Sequence, residues 1–447
     1  MARTDMADVA AERFLSEVGK LDVVRRDVES LVSPYGVVSG VWEMPGLRGL
    51  DRVSVHCAMV GSAWPGLIGP EDTYGCGRAV DSADLARFIS IAEAAERSAA
   101  FLSIDGVETR MGDLTGKPID MSSIPRCSER EYARADCPLR PFDPEVPIRW
   151  VKGLELVSME ERWVPAVMAH YGIHSVTEGE RFWNGISTGY ALYTDPIEAI
   201  VRGACEIIER DMIALTWHQM LRLPKLVVQA PSEQLRYLMK WSEEHFIETY
   251  LFDATSDMGV PTVYCLQRAP FDERAQHVVG AATERTLAEA AFKALLEAML
   301  VRLLCYDENT SLRDLADFRS VDDGVRYMGI PERASAFDFL TDEWDERATH
   351  TEDSRASLPE DSPSALDVLV NRFAAKGIEA VVVDSTPVEI RQAGLSAVSV
   401  IIPALQPMSL VPTAQYFGHR RLYEAPRIMG FECRAEEDLN PWPQPFA

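Results

Sequence analysis

Between residues 196 and 217, Ile200, Ala204, Ile207, Ile208 and Leu215 recur at the three- and four-residue steps of a helix that docks one apolar face. Asp195, Pro196 and Glu198 mark its start: a capping side chain, a proline whose missing N–H costs nothing in the first turn, and an acid at the positive helix end. A second helix is predicted from Ser82, its cap, through a run of alanines that includes Ala92, Ala94, Ala95 and Ala99. A third runs from Thr286 to Arg302, opened by the capping box of Thr286 and Glu289. Residues 7–31 read as one or two amphipathic helices, and 232–245 and 365–375 as further helices. Residues 36–61, 224–229, 249–252, 261–266, 278–280, 380–383 and 398–402 read as strands. Residues 65–72 read as a loop. The Pro-, Ser-, Asp- and Arg-rich stretch 111–147 is expected to be an irregular excursion, and the acidic stretch 341–363 a mobile linker or surface loop. Helices alternating with strands indicate an α/β class.

Composition narrows the partners. The chain has 447 residues and is 47% hydrophobic, enough for two or three compact units with large cores. Its formal charge of −26 argues against nucleic acid or an anionic membrane surface and is more compatible with a basic peptide or protein. No window is long and apolar enough to span a bilayer, and the first residues lack the apolar core of a secretory signal, so a cytoplasmic location is expected. Eight scattered cysteines without a Cys-x-x-Cys pair read as reduced core residues rather than a zinc site. His170 and His174 have helical ligand spacing, but Gly172 lies between them and no nearby acid completes a triad.

The candidate chemistry is a repeated device. Glu206, Glu209 and Arg210 spell Glu-x-x-Glu-Arg on the central helix, and Glu93, Glu96 and Arg97 repeat it on the helix from Ser82. Like charges three residues apart repel, so each pair implies compensation by arginine or by a cation. A solvated, salt-bridged face satisfies that requirement. So does a cage of carboxylates for magnesium, the hard cation that takes oxygen ligands and accompanies phosphates, and the alanine neighbours favour a packed helix. Glu289, Lys293 and Glu297 on the third helix could be surface ion pairs. Gly185-Ile-Ser-Thr-Gly189 matches the spelling of a hydrolase elbow but lacks the helix directly after the serine, and reads better as a polar turn. No Gly-x-x-x-x-Gly-Lys phosphate loop and no kinase signature occurs.

Taken together, the glycine turn Tyr74-Gly-Cys-Gly77 before Glu93 and Glu96, the segment Ile186–Leu192 before Glu206 and Glu209, and the third helix with Glu297 resemble, in order and spacing, the YcaO-domain family. The resemblance covers most of the chain. It implies an α/β YcaO-type fold with mixed sheets and a nucleotide site among three glutamate-bearing helices. The implied division is an N-terminal helical and strand region, 1–65, and a YcaO domain, 66–447. The implied cofactors are ATP and Mg2+, with Glu93, Glu96, Glu206 and Glu209 as metal ligands and Glu93, Glu96, Arg97, Glu206, Glu209, Arg210, Glu297 and Arg302 binding the nucleotide.

The final stretch, residues 440–447, places Pro441, Pro443 and Pro445 in alternation, which stiffens it into an extended rod. It resembles the azoline-forming branch of the family, the cyclodehydratases of ribosomal peptide biosynthesis. That resemblance implies a catalytic tail in which the carboxylate of Ala447 accepts a proton or positions the reacting amide. It also implies a precursor peptide as substrate, a separate leader-binding, ubiquitin-activating-like partner, an azoline dehydrogenase as a further partner, and a homodimer. Against the family pattern, Cys76 stands where a lysine is usual, Ser90 is one place off the usual serine, and Leu300, Ser399 and Ala404 replace a glutamine, an arginine and a glycine. Two alternatives therefore stay open: amide activation with another nucleophile, giving a macroamidine or thioamide, and a subunit without turnover that holds a peptide or partner.

Overall fold

A computed structural model describes residues 28–61, 74–101, 106–173, 176–306, 315, 318, 322–342, 348–351 and 356–446. Most of the N-terminal helix expected over 7–31, the loop over 65–72, His174 and Ala447 lie outside the described residues.

Among the described residues, three sheets with helices packed on them build the α/β architecture. The first sheet is antiparallel, in the order β1 (Val38–Glu43), β2 (Val53–Val60), β3 (Tyr74–Val80). The second sheet joins strands β4 (Gly106–Thr109), β5 (Ile148–Glu155), β7 (Tyr190–Tyr193), β13 (Val381–Asp384) and β14 (Ser396–Ile401) in the order β4-β5-β13-β14-β7, with β6 (Glu161–Pro165) also on β5. The third has the order β11-β10-β9-β8-β12, from β8 (Lys225–Val227), β9 (Glu248–Asp253), β10 (Thr262–Arg268), β11 (His277–Thr283) and β12 (Ala348–His350).

The helices that carry the glutamates form where capping chemistry places them. The first, Ala83–Ala100, is capped by Ser82, whose hydroxyl accepts from the N–H of Leu85. The second, Pro196–Gln219, is capped by Asp195 and closes on Met220 in a left-handed conformation. The third, Leu287–Leu304, has the complete Thr286/Glu289 capping box. The first lies across β2 and β3, the second across β14, β7 and β11, and the third across β10 and β11. The second helix therefore bridges two sheets, and is buried along much of its length, including Ala204, Ile208, Met212, Leu215 and Trp217.

Two expectations are corrected. Tyr74–Gly77 is not a turn but the start of edge strand β3. Its glycines serve close approach: a Cβ on Gly77 would sit 1.8 Å from the carbonyl oxygen of Ala86, and one on Gly75 would sit 2.3 Å from the main-chain nitrogen of Ala94. The acidic stretch 341–363 contains β12, which pairs in parallel with β8, so at least Ala348–His350 is tied to the third sheet. The excursion over 111–147 is irregular as expected, with only the short turns Met111–Asp113 and Glu129–Tyr132. The sequence pattern missed β4, β5 and β6 and the helices Asp322–Met328 and Arg421–Ile428.

Because the first helix meets β3 through glycine, Gly77→Ala should cost at least about 3 kcal/mol, as an overpacked contact against a backbone that cannot yield. Denaturant unfolding of the two proteins measures it, and a change below about 1 kcal/mol would show that the helix sits further from the strand.

Candidate active site

One local rule builds the site. Each helix presents glutamates toward the main chain of a strand or turn, and one oxygen of each accepts a backbone N–H. Glu93 Oε2 accepts from Cys76 in β3 at 2.8 Å, and Glu96 Oε2 from Leu192 in β7 at 3.1 Å. Glu206 Oε2 accepts from Gly189 at 3.0 Å, Glu209 Oε2 from Thr283 in β11 at 2.7 Å, and Glu297 Oε2 from Ala281 in β11 at 2.9 Å. Fixing one oxygen sets the direction of the other. Gly189 is required there: its φ is +89°, and a Cβ would meet the carbonyl of Val400 at 2.3 Å. The serine-containing segment before it precedes a strand instead of opening a helix, so it is a polar turn that feeds Glu206 and not a hydrolase elbow.

The carboxylates feel one another in a continuous row. Burial raises the pKa of Glu96 well above the ordinary carboxylate range, and the charges of Glu206 and Glu93 add to it. Glu206 is likewise raised, first by burial, with Glu93 adding and Arg210 opposing. Burial pushes Glu209 up to about 8, and repulsion from Glu297 and Glu206 contributes while Arg210 opposes. Among the described residues, no three His, Cys, Asp or Glu side chains converge on one point. Each glutamate is pinned to a different stretch of main chain, so the carboxylates lie along a row.

Arginines line the same row. Arg97 donates to Glu93 at 3.0 Å. Arg210 approaches Glu206 at 3.8 Å, and burial, which lowers its pKa, is outweighed by Glu209, Glu206 and Glu297, which raise it. Its Nε and Nη1 are buried with no hydrogen-bond partner. A buried guanidinium with unused donors beside several protonation-prone carboxylates fits an anion such as a phosphate, brought in with a hard cation that the all-oxygen donor set would hold. The missing ligands of such a cation would come from phosphate oxygens, which suits a row better than a closed cage.

Sequence reasoning missed Arg78, whose Nη2 lies 3.7 Å from Glu297. The signal was the period of two in β3, which puts Tyr74, Cys76 and Arg78 on the face opposite Gly75 and Gly77. Arg302, expected at the nucleotide, is not brought to the row. Its guanidinium donates to Gln267 and Ala275 and lies 3.6 Å from Asp272, making it a buried brace of the third helix. Ser90 spends its hydroxyl on the carbonyl of Arg87. Leu300 and Ser399 are buried, the latter opposite Tyr190 between β14 and β7. His170 is a core residue held by the hydroxyl of Tyr190 at 3.0 Å, and burial drops its pKa to about 4.

The proline-alternating tail docks. Asn440 N–H donates to the carbonyl of His218, Trp217 Nε1 donates to the carbonyl of Trp442 at 2.9 Å, and the Gln444 amide meets the ring of His218 at 3.2 Å. Pro443 and Pro445 are buried and Pro441 is exposed. Phe446 is buried edge-on against Tyr264, with ring centroids 5.3 Å apart. Tyr264 pairs across β10 and β11 with Ala281, whose N–H holds Glu297, so the tail joins the same core as the site's backbone.

A fold of this topology, with glutamates from three helices in one charged row, defines the class. Residues 77–406 match the family described as YcaO cyclodehydratase, ATP- and Mg2+-binding. The chain belongs to the YcaO family, whose cofactors are ATP and Mg2+. It is 26% identical over 229 residues to an uncharacterized protein in the tfuA 3′ region of Rhizobium leguminosarum bv. trifolii, covering 47% of this chain and 53% of that protein. In fold it is similar to a heterocyclase in complex with substrate and cofactor, at a TM-score of 0.79 and 22% identity over 94% of this chain and 56% of that one. It is also similar to the YcaO of Methanopyrus kandleri bound with AMPPCP and Mg2+ (TM-score 0.58, 18% identity, 83% and 86% coverage). The same holds for a chain of the E. coli microcin synthetase McbBCD complex (TM-score 0.64, 14% identity, 90% and 96% coverage). The chain spans about half the length of the curated relative and of the first of these structures. Among the described residues no helix is long and apolar enough to cross a membrane.

Two measurements check this geometry. Glu209 has a folded pKa of about 8, above its ordinary 4.5, so the folded state binds its proton more tightly than the unfolded chain does. The associated stability is fully present below about 4.5 and is lost as pH rises through about 8. Melting of the ligand-free protein should therefore weaken over that window, and Glu209→Gln, which is always neutral, should gain relative to wild type between pH 6 and pH 9. Equal pH profiles would show that Glu209 is solvated. Separately, Phe446→Ala should cost about 3 kcal/mol in unfolding free energy if the tail is docked, and almost nothing if it is free.

Proposed function

We propose that this chain is an ATP-dependent cyclodehydratase that activates backbone amides of a ribosomally made precursor peptide and converts Cys, Ser or Thr to thiazolines or oxazolines. The observation that carries the reading is the row of five main-chain-anchored glutamates beside Arg210, whose buried donors lack partners. Membership of the YcaO family and the likeness to heterocyclase structures support it.

Bound Mg–ATP would supply the phosphoryl group that the amide oxygen accepts, so that this oxygen leaves as phosphate once a thiol or hydroxyl has closed the ring. Oxygens from among Glu93, Glu96, Glu206 and Glu209 would hold the cation together with phosphate oxygens, and Glu297 would extend the row from the third helix. Arg210 and Arg97 would stabilise the negative charge that builds up there, which is the larger part of catalysis in phosphoryl transfer. Cation entry would displace the proton that burial favours on Glu96 and Glu209, so binding would tighten as pH rises. The tail from Pro441 to Phe446 orders the neighbouring core, and its alternating prolines keep the entropy cost of that order low. A precursor peptide and a separate leader-binding partner complete the assembly in this reading; the chain's likeness to part of a multi-protein synthetase supports a partner, and its charge of −26 suits a basic one.

A second reading, a peptide- or partner-holding subunit without turnover, is favoured by one feature: Cys76, Leu300 and Ser399 leave no basic or amide group where the family pattern has them. Peptide-dependent ATP consumption separates the two. With both Glu206→Gln and Glu209→Gln, turnover should fall at least about tenfold through lost charge stabilisation. Near-normal turnover in that double variant would remove the row from the mechanism, and no ATP consumption by the wild type with partner and peptide would favour the second reading.

A further inference from the structure

The residue in the family's lysine position opens a different chemistry. Cys76 on β3 lies directly opposite Cys57 on β2 in the antiparallel register, and their Sγ atoms are 3.7 Å apart. The N–H of Cys76 points to Glu93, away from β2, which makes this a non-hydrogen-bonded cross-strand pair. In such pairs the Cα atoms stand about 4.5 Å apart, inside the span of roughly 4.4–6.8 Å that a disulfide bridges. Cys76 is exposed and Cys57 half-buried. By contrast Cys127, Cys137, Cys205, Cys265 and Cys305 are buried.

We propose that Cys57 and Cys76 form an oxidisable dithiol that a peroxide closes to a disulfide, and that closure weakens the holding of Mg–nucleotide at Glu93. In the first step the sulfur of Cys76 takes one oxygen from the peroxide, becoming a sulfenic acid, as the O–O bond breaks and water leaves. Cys57 then attacks that sulfur, the S–S bond forms, and the sulfenic oxygen departs as a second water. Two thiols lose two electrons and two protons, and one peroxide becomes two waters. Closing the sulfurs from 3.7 Å to about 2.05 Å across Cα atoms about 4.5 Å apart, short of the roughly 5.5–6 Å a disulfide prefers, strains the backbone at Cys76. Its N–H is what fixes Glu93, so the bridge pulls on the anchor of the first carboxylate in the row. The consequence rests on the nucleotide reading above; the thiol chemistry does not.

The full-length protein is treated with hydrogen peroxide, digested without reduction and mapped by mass spectrometry, with Cys57→Ser in parallel. The expected result is a linked peptide pair joining Cys57 to Cys76, lighter by two hydrogens and separated again by dithiothreitol, with no such pair in the variant. Calorimetric titration with Mg–AMPPCP should then show affinity reduced several-fold in the bridged wild type, restored on reduction, and unmoved by peroxide through any bridge in Cys57→Ser. Absence of the linked peptide, or oxidation of Cys76 to higher acids without a link, overturns the dithiol. A bridge that forms and leaves affinity unchanged overturns the coupling. If reduced wild type binds no nucleotide while the bridge still forms, the proposed function fails and the dithiol stands.

Discussion

Crowding five partly buried carboxylates together is the constraint from which the rest of this structure follows. Each acid that leaves water loses hydration worth several kcal/mol if it stays ionised, and here neighbours of the same sign add to the penalty. The fold offsets this with main-chain N–H groups from β3, β7, β11 and the turn at Gly189, one for each glutamate. Those donors belong to three different sheets, so the sheets must meet around the helices. The row is the place where the architecture closes.

The remaining electrostatic debt falls on Arg97, Arg210 and Arg78, and on protonation when no cation is present. Burial accordingly raises the pKa of Glu96, Glu206 and Glu209. Elsewhere the molecule pairs its buried charges more fully. Arg421 is clamped by Asp211 and Asp257, both at 2.7 Å, and Glu198 by Arg202 and Arg285, again at 2.7 Å. Asp211 follows Arg210 on the same helix, so a satisfied pair and an unsatisfied guanidinium stand side by side. The contrast sets Arg210 apart as a guanidinium with two buried donors unused.

Close packing sets how accurately the row is built. Gly75 and Gly77 let the first helix touch β3, and Gly203 brings the second helix within 2.7 Å of the Gly189 carbonyl by the same measure of a Cβ. Gly280 does this for the third helix, where a Cβ would lie 2.4 Å from the carbonyl of Ala294. Each glutamate helix is thus pressed onto its own strand or turn through a glycine. A carboxylate one turn along can then reach that segment's main chain.

Helix starts and charge stripes were legible from residue types alone, since Ser82, Asp195 and Thr286 act through neighbours two or three residues away. Glu93, Glu96, Glu206 and Glu209 were legible for a related reason: repetition of Glu-x-x-Glu-Arg needs no knowledge of the fold. What lay beyond the sequence depended on contacts distant along it. Arg302 carried the right charge on the right helix, yet its five-residue offset from Glu297 turned it to Gln267 and Asp272. Tyr74–Gly77 looked like a turn because glycine permits turns, and only the helix packed against it shows that glycine here means the absence of a Cβ. Arg78, the anchoring N–H groups and the facing of Cys57 by Cys76 are matters of strand register. Local composition determines which elements form and what chemistry they carry, whereas register and packing decide which of those groups share a site, because they set distances between residues that the chain order leaves free.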